Sequence, residues 1–198
     1  MLSYALAAVG AYLLGSIPFG VIVAKALGEI DPRTSGSKNI GFTNVLRVSG
    51  KKAGILTLLG DIGKGVLAAV LAQSFGAPRP WVLFIGLSVV VGHVFSIFLR
   101  FKGGKGVATA LGSVLGFEPF LGVCLFGIWI GTVISFGYSS GGALASFISF
   151  PILAYFLAGD VPLTFFSLAI LGLIVYGHIE NISRLLKGTE TKMRLFSS

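Results

Sequence analysis

The sequence predicts an all-α integral membrane protein: a polytopic helical bundle of about seven transmembrane helices, in a single domain covering residues 1–198. Three observations carry that expectation. The chain is 55% hydrophobic and only 11% charged, whereas soluble domains average about 25% charged residues. Its mean hydropathy is +0.94, and apolar segments recur to the C-terminus, so a secretory leader does not account for the composition. The basic residues, finally, gather in two loops and a tail rather than being spread along the chain.

Taken in order, Tyr4 to Lys25 is long enough to cross a bilayer, which takes about 20 residues of helix. Leu27 to Lys52 is polar, with Gly, Ser, Asn and the cations Arg33, Lys38, Arg47, Lys51 and Lys52. Ala53 to Phe75 forms the second span, and Ala77-Pro78-Arg79-Pro80 a short turn. Trp81 to Phe101 is the third. Val107 to Tyr138 is too long for one helix and short for two. Glu118-Pro119 divides it, since the residue before a proline resists helical geometry. Gly141 to Ala158 and Pro162 to His178 complete the spans, separated by Gly159-Asp160, and the tail from Asn181 is basic and amphipathic.

Charge placement supports that count. Arg100, Lys102 and Lys105 lie in the second polar loop, and Arg184, Lys187, Lys192 and Arg194 in the tail. The opposite connections carry only Arg79, Glu118 and Asp160. The positive-inside rule then places both loops and the C-terminus in the cytoplasm and the N-terminus outside. That needs an even number of crossings between Lys105 and Asn181. Four give seven spans; a re-entrant hairpin over Val107–Tyr138 gives five.

The net charge of +8 thus belongs to one membrane face, where anionic headgroups attract it by about 1 kcal/mol per cation. Nucleic acid is not an expected partner, because no soluble basic module is present. Cys124 is the single cysteine, which excludes a disulfide framework. Two histidines and seven acidic residues leave few ligands for a metal site, so neither metal nor cofactor is expected.

Four constellations carry chemistry. In Phe98–Ala110, FLRFKGGKGVATA, Arg100, Lys102 and Lys105 stand among Gly103, Gly104 and Gly106, ahead of a helix-forming run. Glycines admit a ligand close to the backbone, and a helix start favours an anion. Phosphate is one reading; a loop anchored by positive-inside charge is the other. In Ser35–Arg47, SGSKNIGFTNVLR, Thr43, Asn44 and Arg47 share a face if the next helix has already begun. Gly92-His93 sits just before the Gly-rich loop. Gly177-His178 opens a segment in which Asn181 and Arg184 follow at helical spacing, with Glu190 beyond. Both histidines read equally as helix-end structure. Inside the second span, Asp61 and Lys64 are expected to pair and face the bundle interior, because intramembrane charges cost roughly 2.5–3.5 kcal/mol each.

Several chemistries are absent. Neither histidine is followed by aspartate at the spacing of a His-x4-Asp acyltransferase. Gly60–Gly65 is not a Walker A loop, no Asp-rich cluster suits two metals, and no G-x-S-x-G elbow occurs.

GSKNIGFTNVLR (Gly36–Arg47), GHVFSIFLRFKGGKGVAT (Gly92–Thr109) and GHIENISRLLKGTE (Gly177–Glu190) resemble the three signature segments of the bacterial acyl-phosphate:glycerol-3-phosphate acyltransferase (PlsY) family. Asp61-x-x-Lys64-Gly65 is similar to a fourth family feature. One departure stands out: the family usually reads Ser-Gly-Asn where this chain has Ser37-Lys38-Asn39. The resemblance implies transfer of a fatty acyl group from acyl phosphate to the 1-hydroxyl of glycerol 3-phosphate, releasing 1-acylglycerol 3-phosphate and phosphate. It implies a multi-pass protein of the bacterial cytoplasmic (inner) membrane, its site facing the cytoplasm, with membrane lipids as neighbours and a monomer as the simplest state. Carried over, the catalytic residues are Ser37 (Ser35 the lesser match), Lys105, His178 and Asn181. The substrate-binding set is Asn39, Thr43, Asn44, Arg47, His93, Gly103, Gly104, Gly106, Arg184 and Glu190, with Asp61 and Lys64 in support. A rival from another class is a small transporter or flippase for a phosphorylated metabolite or lipid, which would need a polar path through the bilayer.

Overall fold

The computed structural model describes residues 1–193; Arg194, part of the expected basic tail, lies outside them. Among the described residues nine α-helices run in the order α1 (Leu2–Ser16), α2 (Phe19–Ala26), α3 (Phe42–Ser74), α4 (Arg79–Val94), α5 (Val107–Phe117), α6 (Pro119–Phe136), α7 (Ser139–Leu153), α8 (Val161–Gly177) and α9 (Ile179–Leu186). A 3₁₀ turn at Ile97–Leu99 follows α4, and a π turn at Ala154–Ala158 follows α7. No strand occurs among the described residues. The chain is therefore an all-helical membrane protein.

Four stretches are long and apolar enough to cross a bilayer, and two bent pairs, α1–α2 and α8–α9, bring the number to six. α5, with 11 residues, falls short of the crossing length. Its brevity has a local cause. The chain from Ser96 to Lys105 folds back along the end of α4, where the Gly103 N–H donates to the Val94 carbonyl and Gly104 N–H to that of His93, both at 3.0 Å. α5 thus starts at the level of His93, not at the surface.

Three boundaries differ from those expected. Tyr4–Lys25 is not one straight helix: it bends by 42° at Ile17, which the following Pro18 holds extended (φ −60°, ψ 116°). Helix α3 begins at Phe42 rather than Ala53, and Gly50, at φ 83° and ψ 174°, turns its first two turns back on the rest. Only glycine takes that conformation without strain. In the third span the α-helix ends at Val94, and a 3₁₀ turn carries the apolar stretch to Leu99, short of Phe101. The proline division at Glu118-Pro119, by contrast, separates α5 from α6 as expected.

Large apolar side chains such as Leu59, Phe120, Phe156 and Phe165 are exposed, the outward face that lipid covers. Inside, backbones approach closely. A Cβ on Gly65 would lie 2.3 Å from the Thr109 carbonyl oxygen, and one on Gly112 2.1 Å from that of Ile62, which locks α3 to α5. Gly15 and Gly92 do the same for α1 and α4, 2.0 and 2.1 Å from the carbonyls of Val89 and Tyr12. Small residues at such crossings gain packing where lipid offers no hydrophobic drive. At the far ends of α4, α5 and α8, Arg79 binds Glu118 at 2.6 Å and Asp160 at 2.8 Å. The three charges of the sparsely charged connections therefore meet at one end of the bundle. The basic loops meet at the other.

Candidate active site

At that basic end an inner cavity of about 530 Å³ opens among α3, α5, α6, α7 and the start of α9. Its mouth is polar, with Ser37, Asn39, Thr43, Arg47, Lys105 and His178 in the wall. Asn181, Arg184, Glu190, Ser139 and Ser140 continue that rim. Beyond it the wall is mostly apolar, with Leu58, Ile62, Leu111, Leu125, Trp129, Ala143 and Phe147, and only Asp61, His93 and Ser146 add polar groups there. From Ser140 to Phe147, α7 descends about 10 Å at 1.5 Å per residue. One cavity thus joins a cationic head to a greasy shaft.

The head is held by a connected network. Lys105 donates through Nζ to Asn181 Oδ1. The Asn181 amide donates to Glu190 at 2.6 Å, and Glu190 also accepts from Arg184 at 2.6 Å and Ser140 at 2.7 Å. Burial raises the Glu190 pKa, but these hydrogen bonds and the Arg184 charge outweigh it and hold the carboxyl below its usual range. Burial pushes the Lys105 ammonium down to about 8, Glu190 working against the shift and Arg184 with it. Gly177 lets α8 end against Lys105: a Cβ there would sit 3.2 Å from the lysine Cα. His178 Nδ1 lies 2.7 Å from the Ile174 carbonyl, which can only accept. Nδ1 is therefore protonated, and a neutral ring presents Nε2 as an acceptor.

The residues expected to bind substrate divide by what they already hold. Ser37, Asn39, Thr43, Arg47 and Arg184 line the cavity with capacity to spare, Thr43 sharing a 2.8 Å hydrogen bond with Ser139. Ser35 does not line it. Asn44 is buried and occupied: its Oδ1 accepts from the Ser37 N–H at 2.9 Å, and its amide donates to the carbonyls of Pro32, Ser35 and Asn39. Those bonds shape the Ser37 loop, and Asn44 also lines the cavity. Glu190 likewise has its carboxylate engaged by Asn181, Arg184 and Ser140. Gly103 and Gly104 were expected to donate to phosphate, but their N–H groups are spent on α4. Their requirement is space, because a Cβ on Gly103 would lie 2.0 Å from the His93 carbonyl oxygen and one on Gly104 2.1 Å from His93 Nε2. The available donors sit one step on. Gly106 (φ 85°) caps α5, and Gly106, Val107 and Ala108 line the cavity at a helix start whose N–H groups lack intrahelical partners.

Below the loop, His93 Nδ1 stands 3.4 Å from Asp61, and Asp61 pairs with Lys64 at 2.8 Å. Lys64 also donates to the Ile17 carbonyl at 3.0 Å and lies over the Phe19 ring. This buried line ties the α1–α2 bend to the Gly-rich loop through His93.

Ser139, Ser140, Phe126 and Trp129 were not singled out from the sequence. The hydroxyl pair opening α7 is a visible signal; the aromatic pair has none beyond general apolarity.

Fold and site together define a class: a polytopic membrane protein with a cavity that joins a cationic head to a largely apolar shaft. The family model described as glycerol-3-phosphate acyltransferase matches residues 5–188. The chain is 47% identical over 183 residues to the glycerol-3-phosphate acyltransferase of Methylococcus capsulatus, covering 92% of each chain. With that of Burkholderia vietnamiensis it shares 47% over 190 residues, 95% of this chain and 90% of the relative. The crystal structure of PlsY (YgiH), an integral membrane glycerol 3-phosphate acyltransferase, superposes in its glycerol 3-phosphate form with a TM-score of 0.91 at 41% identity, covering 97% of this chain and 96% of that one. Its lysophosphatidic acid form gives a TM-score of 0.89 at 41% identity, covering 96% and 95%. This chain belongs to the glycerol-3-phosphate acyltransferase (PlsY) family.

Proposed function

We propose that the protein is a membrane glycerol-3-phosphate acyltransferase that uses acyl phosphate as donor. The observation that carries this reading is the single cavity with a cationic head and an apolar shaft. A fatty acyl phosphate has those two parts in that order. The hydroxyl oxygen at position 1 of glycerol 3-phosphate attacks the acyl carbonyl carbon, the bond from that carbon to the phosphate oxygen breaks, and phosphate leaves with its electron pair. The products are 1-acylglycerol 3-phosphate and inorganic phosphate.

The residues serve this step mainly by position and charge. Lys105 and the first N–H groups of α5 hold phosphate, while Arg47 and Arg184 supply further positive charge at the mouth. Asn181, fixed by Glu190, orients Lys105. His178 Nε2 accepts a hydrogen bond from the acceptor, and Ser37 with Asn39 binds the donor's phosphate or carbonyl. The attacking hydroxyl gives its proton to the acceptor's own phosphate, a dianion at neutral pH because its second pKa is near 6. The acyl shaft lies in the membrane, so the site works at the membrane surface. Positive-inside charge assigns that surface to the cytoplasmic side of the inner membrane.

A transporter would need the polar path to continue. Instead buried Leu111, Leu125 and Phe147 line the shaft, and Asp61, the carboxylate that reaches it, is paired with Lys64 at 2.8 Å. The deciding experiment is product formation by purified protein in detergent, where transport is undefined. Product is expected from acyl phosphate plus glycerol 3-phosphate, in the presence of a metal chelator, and not from acyl-coenzyme A. Activity lost to the chelator and restored by a divalent ion, or acyl-coenzyme A accepted as donor, would overturn the reading.

A further inference from the structure

An outer cavity of about 290 Å³ adjoins the inner one and shares Ser37, Asn39, Lys105 and Arg184 with it. Four cations line it, Lys38, Lys102, Lys105 and Arg184, against one carboxylate, Glu180. Glu180 leans towards Arg184 at 3.6 Å and also acts on Lys105. Lys38 and Lys102 make no ion pair among the described residues.

The backbone around this cavity is unusual. Among the described residues only Lys38, Arg100 and Phe101 are non-glycine residues at positive φ, at 56°, 52° and 62°. Lys38 and Phe101 line the outer cavity, and Arg100 precedes Phe101 in the loop that presents Lys102. Side chains in the left-handed region carry strain, and such strain collects where a functional position requires it. At position 38 a glycine would lie unstrained. A lysine is there instead, directed at a positively charged mouth.

We infer that Lys38 and Lys102 form a capture pair that draws the soluble phosphate monoester acceptor through the outer cavity to Lys105, Lys38 being kept for this role in spite of its backbone. This rests on the function proposed above. Unpaired cations at a mouth raise the local concentration of a dianion and its rate of entry, an effect that salt screens. The outer cavity is short and rimmed with charge, which suits the small acceptor. The donor's alkyl chain needs the shaft, none of whose apolar residues lines the outer cavity.

The test compares wild type with Lys38→Gly, Lys38→Arg and Lys102→Gln in detergent, across ionic strength, with each substrate varied in turn. Lys38→Gly should melt about 2–4 °C higher through release of strain. Its kcat/KM for glycerol 3-phosphate should nonetheless fall roughly three- to tenfold at low salt, with kcat within about twofold and the two proteins converging at high salt. Lys38→Arg should keep the wild-type profile, and Lys102→Gln should reproduce the low-salt loss. A structural role predicts the reverse association, stability and activity moving together. Unchanged kcat/KM and salt dependence in Lys38→Gly overturns the capture pair, as does a loss confined to acyl phosphate. Absence of product from wild type overturns the assigned reaction instead, so the two failures are distinct.

Discussion

Lys105 concentrates the chemistry of the site in one ammonium group. Lys105→Ala should lower kcat/KM by a hundredfold or more, since a donor aimed at developing charge contributes roughly 3 kcal/mol. Lys187→Ala, with the same charge outside the cavity, should change the rate less than twofold. Equal effects would assign both lysines to attraction of the membrane surface. The Lys105 pKa of about 8 fixes the sign of the pH dependence. Its ammonium is intact below that value and lost as pH rises through it, so kcat/KM should decline above pH 8. Bound phosphate favours the ammonium, which should move that limb of kcat to higher pH. Below about pH 6 the acceptor phosphate gains a proton and its capacity as base weakens, giving a bell. A profile flat to pH 10 would remove Lys105 from the reaction. Ser37 invites an acyl-enzyme mechanism, but its backbone N–H is bound to Asn44, and among the described residues no base is hydrogen-bonded to its hydroxyl. Incubation with donor alone should leave the protein mass unchanged; a stoichiometric acyl adduct at Ser37, chased into product, would make the reaction ping-pong.

Between elements, the buried line from Ile17 through Lys64 and Asp61 to His93 does what no single helix can. It fixes the floor on which the Gly-rich loop rests. Asp61→Asn leaves Lys64 buried beside a neutral amide and should destabilise by about 3–5 kcal/mol, the cost of breaking a buried pair. Asp61→Asn with Lys64→Met removes both charges and should recover most of that loss in thermal unfolding. Equal losses in the single and double variants would mean that packing, not charge, governs the site. The intramembrane pair was legible in the sequence because charge in an apolar run demands a partner. The Gly-Lys-Gly loop stood out by residue type, His178 and Asn181 by helical spacing with helix-end structure as an equal reading, and Ser37 through the family resemblance; all of these positions meet at the cavity. The division of labour was not legible. Asn44 and Glu190 share residue types with ligand-binding groups, and only the fold shows that loop carbonyls and Arg184 already occupy them. Gly103 and Gly104 suggested phosphate donors because glycine marks close approach without saying to what; here the neighbour is His93. The bend at Pro18 was readable, yet hydropathy ran through it unbroken.

For the whole molecule, the open quantity is how often the chain crosses. α5 alone is too short to span, but it begins recessed beside His93 and ends at Glu118, which binds the same arginine as Asp160. An ion cluster of that kind belongs at one membrane face, with the basic loops at the other. If α5 completes a crossing from a sunken start, seven spans result, the N-terminus lies outside and both basic loops lie in the cytoplasm. If α5 and α6 form a re-entrant hairpin, five result and Glu118 must stay within the bundle or return to the basic face. Single cysteines on a Cys124→Ser background separate these cases through labelling with a membrane-impermeant reagent. Positions 35 and 183 should react only from the cytoplasmic side, and position 160 only from outside. Position 118 should follow 160, because Arg79 holds their native side chains together. Labelling of 118 from the cytoplasmic side would reduce the count to five, and opposite labelling of 35 and 183 would break the requirement for an even number of crossings between the two halves of the site.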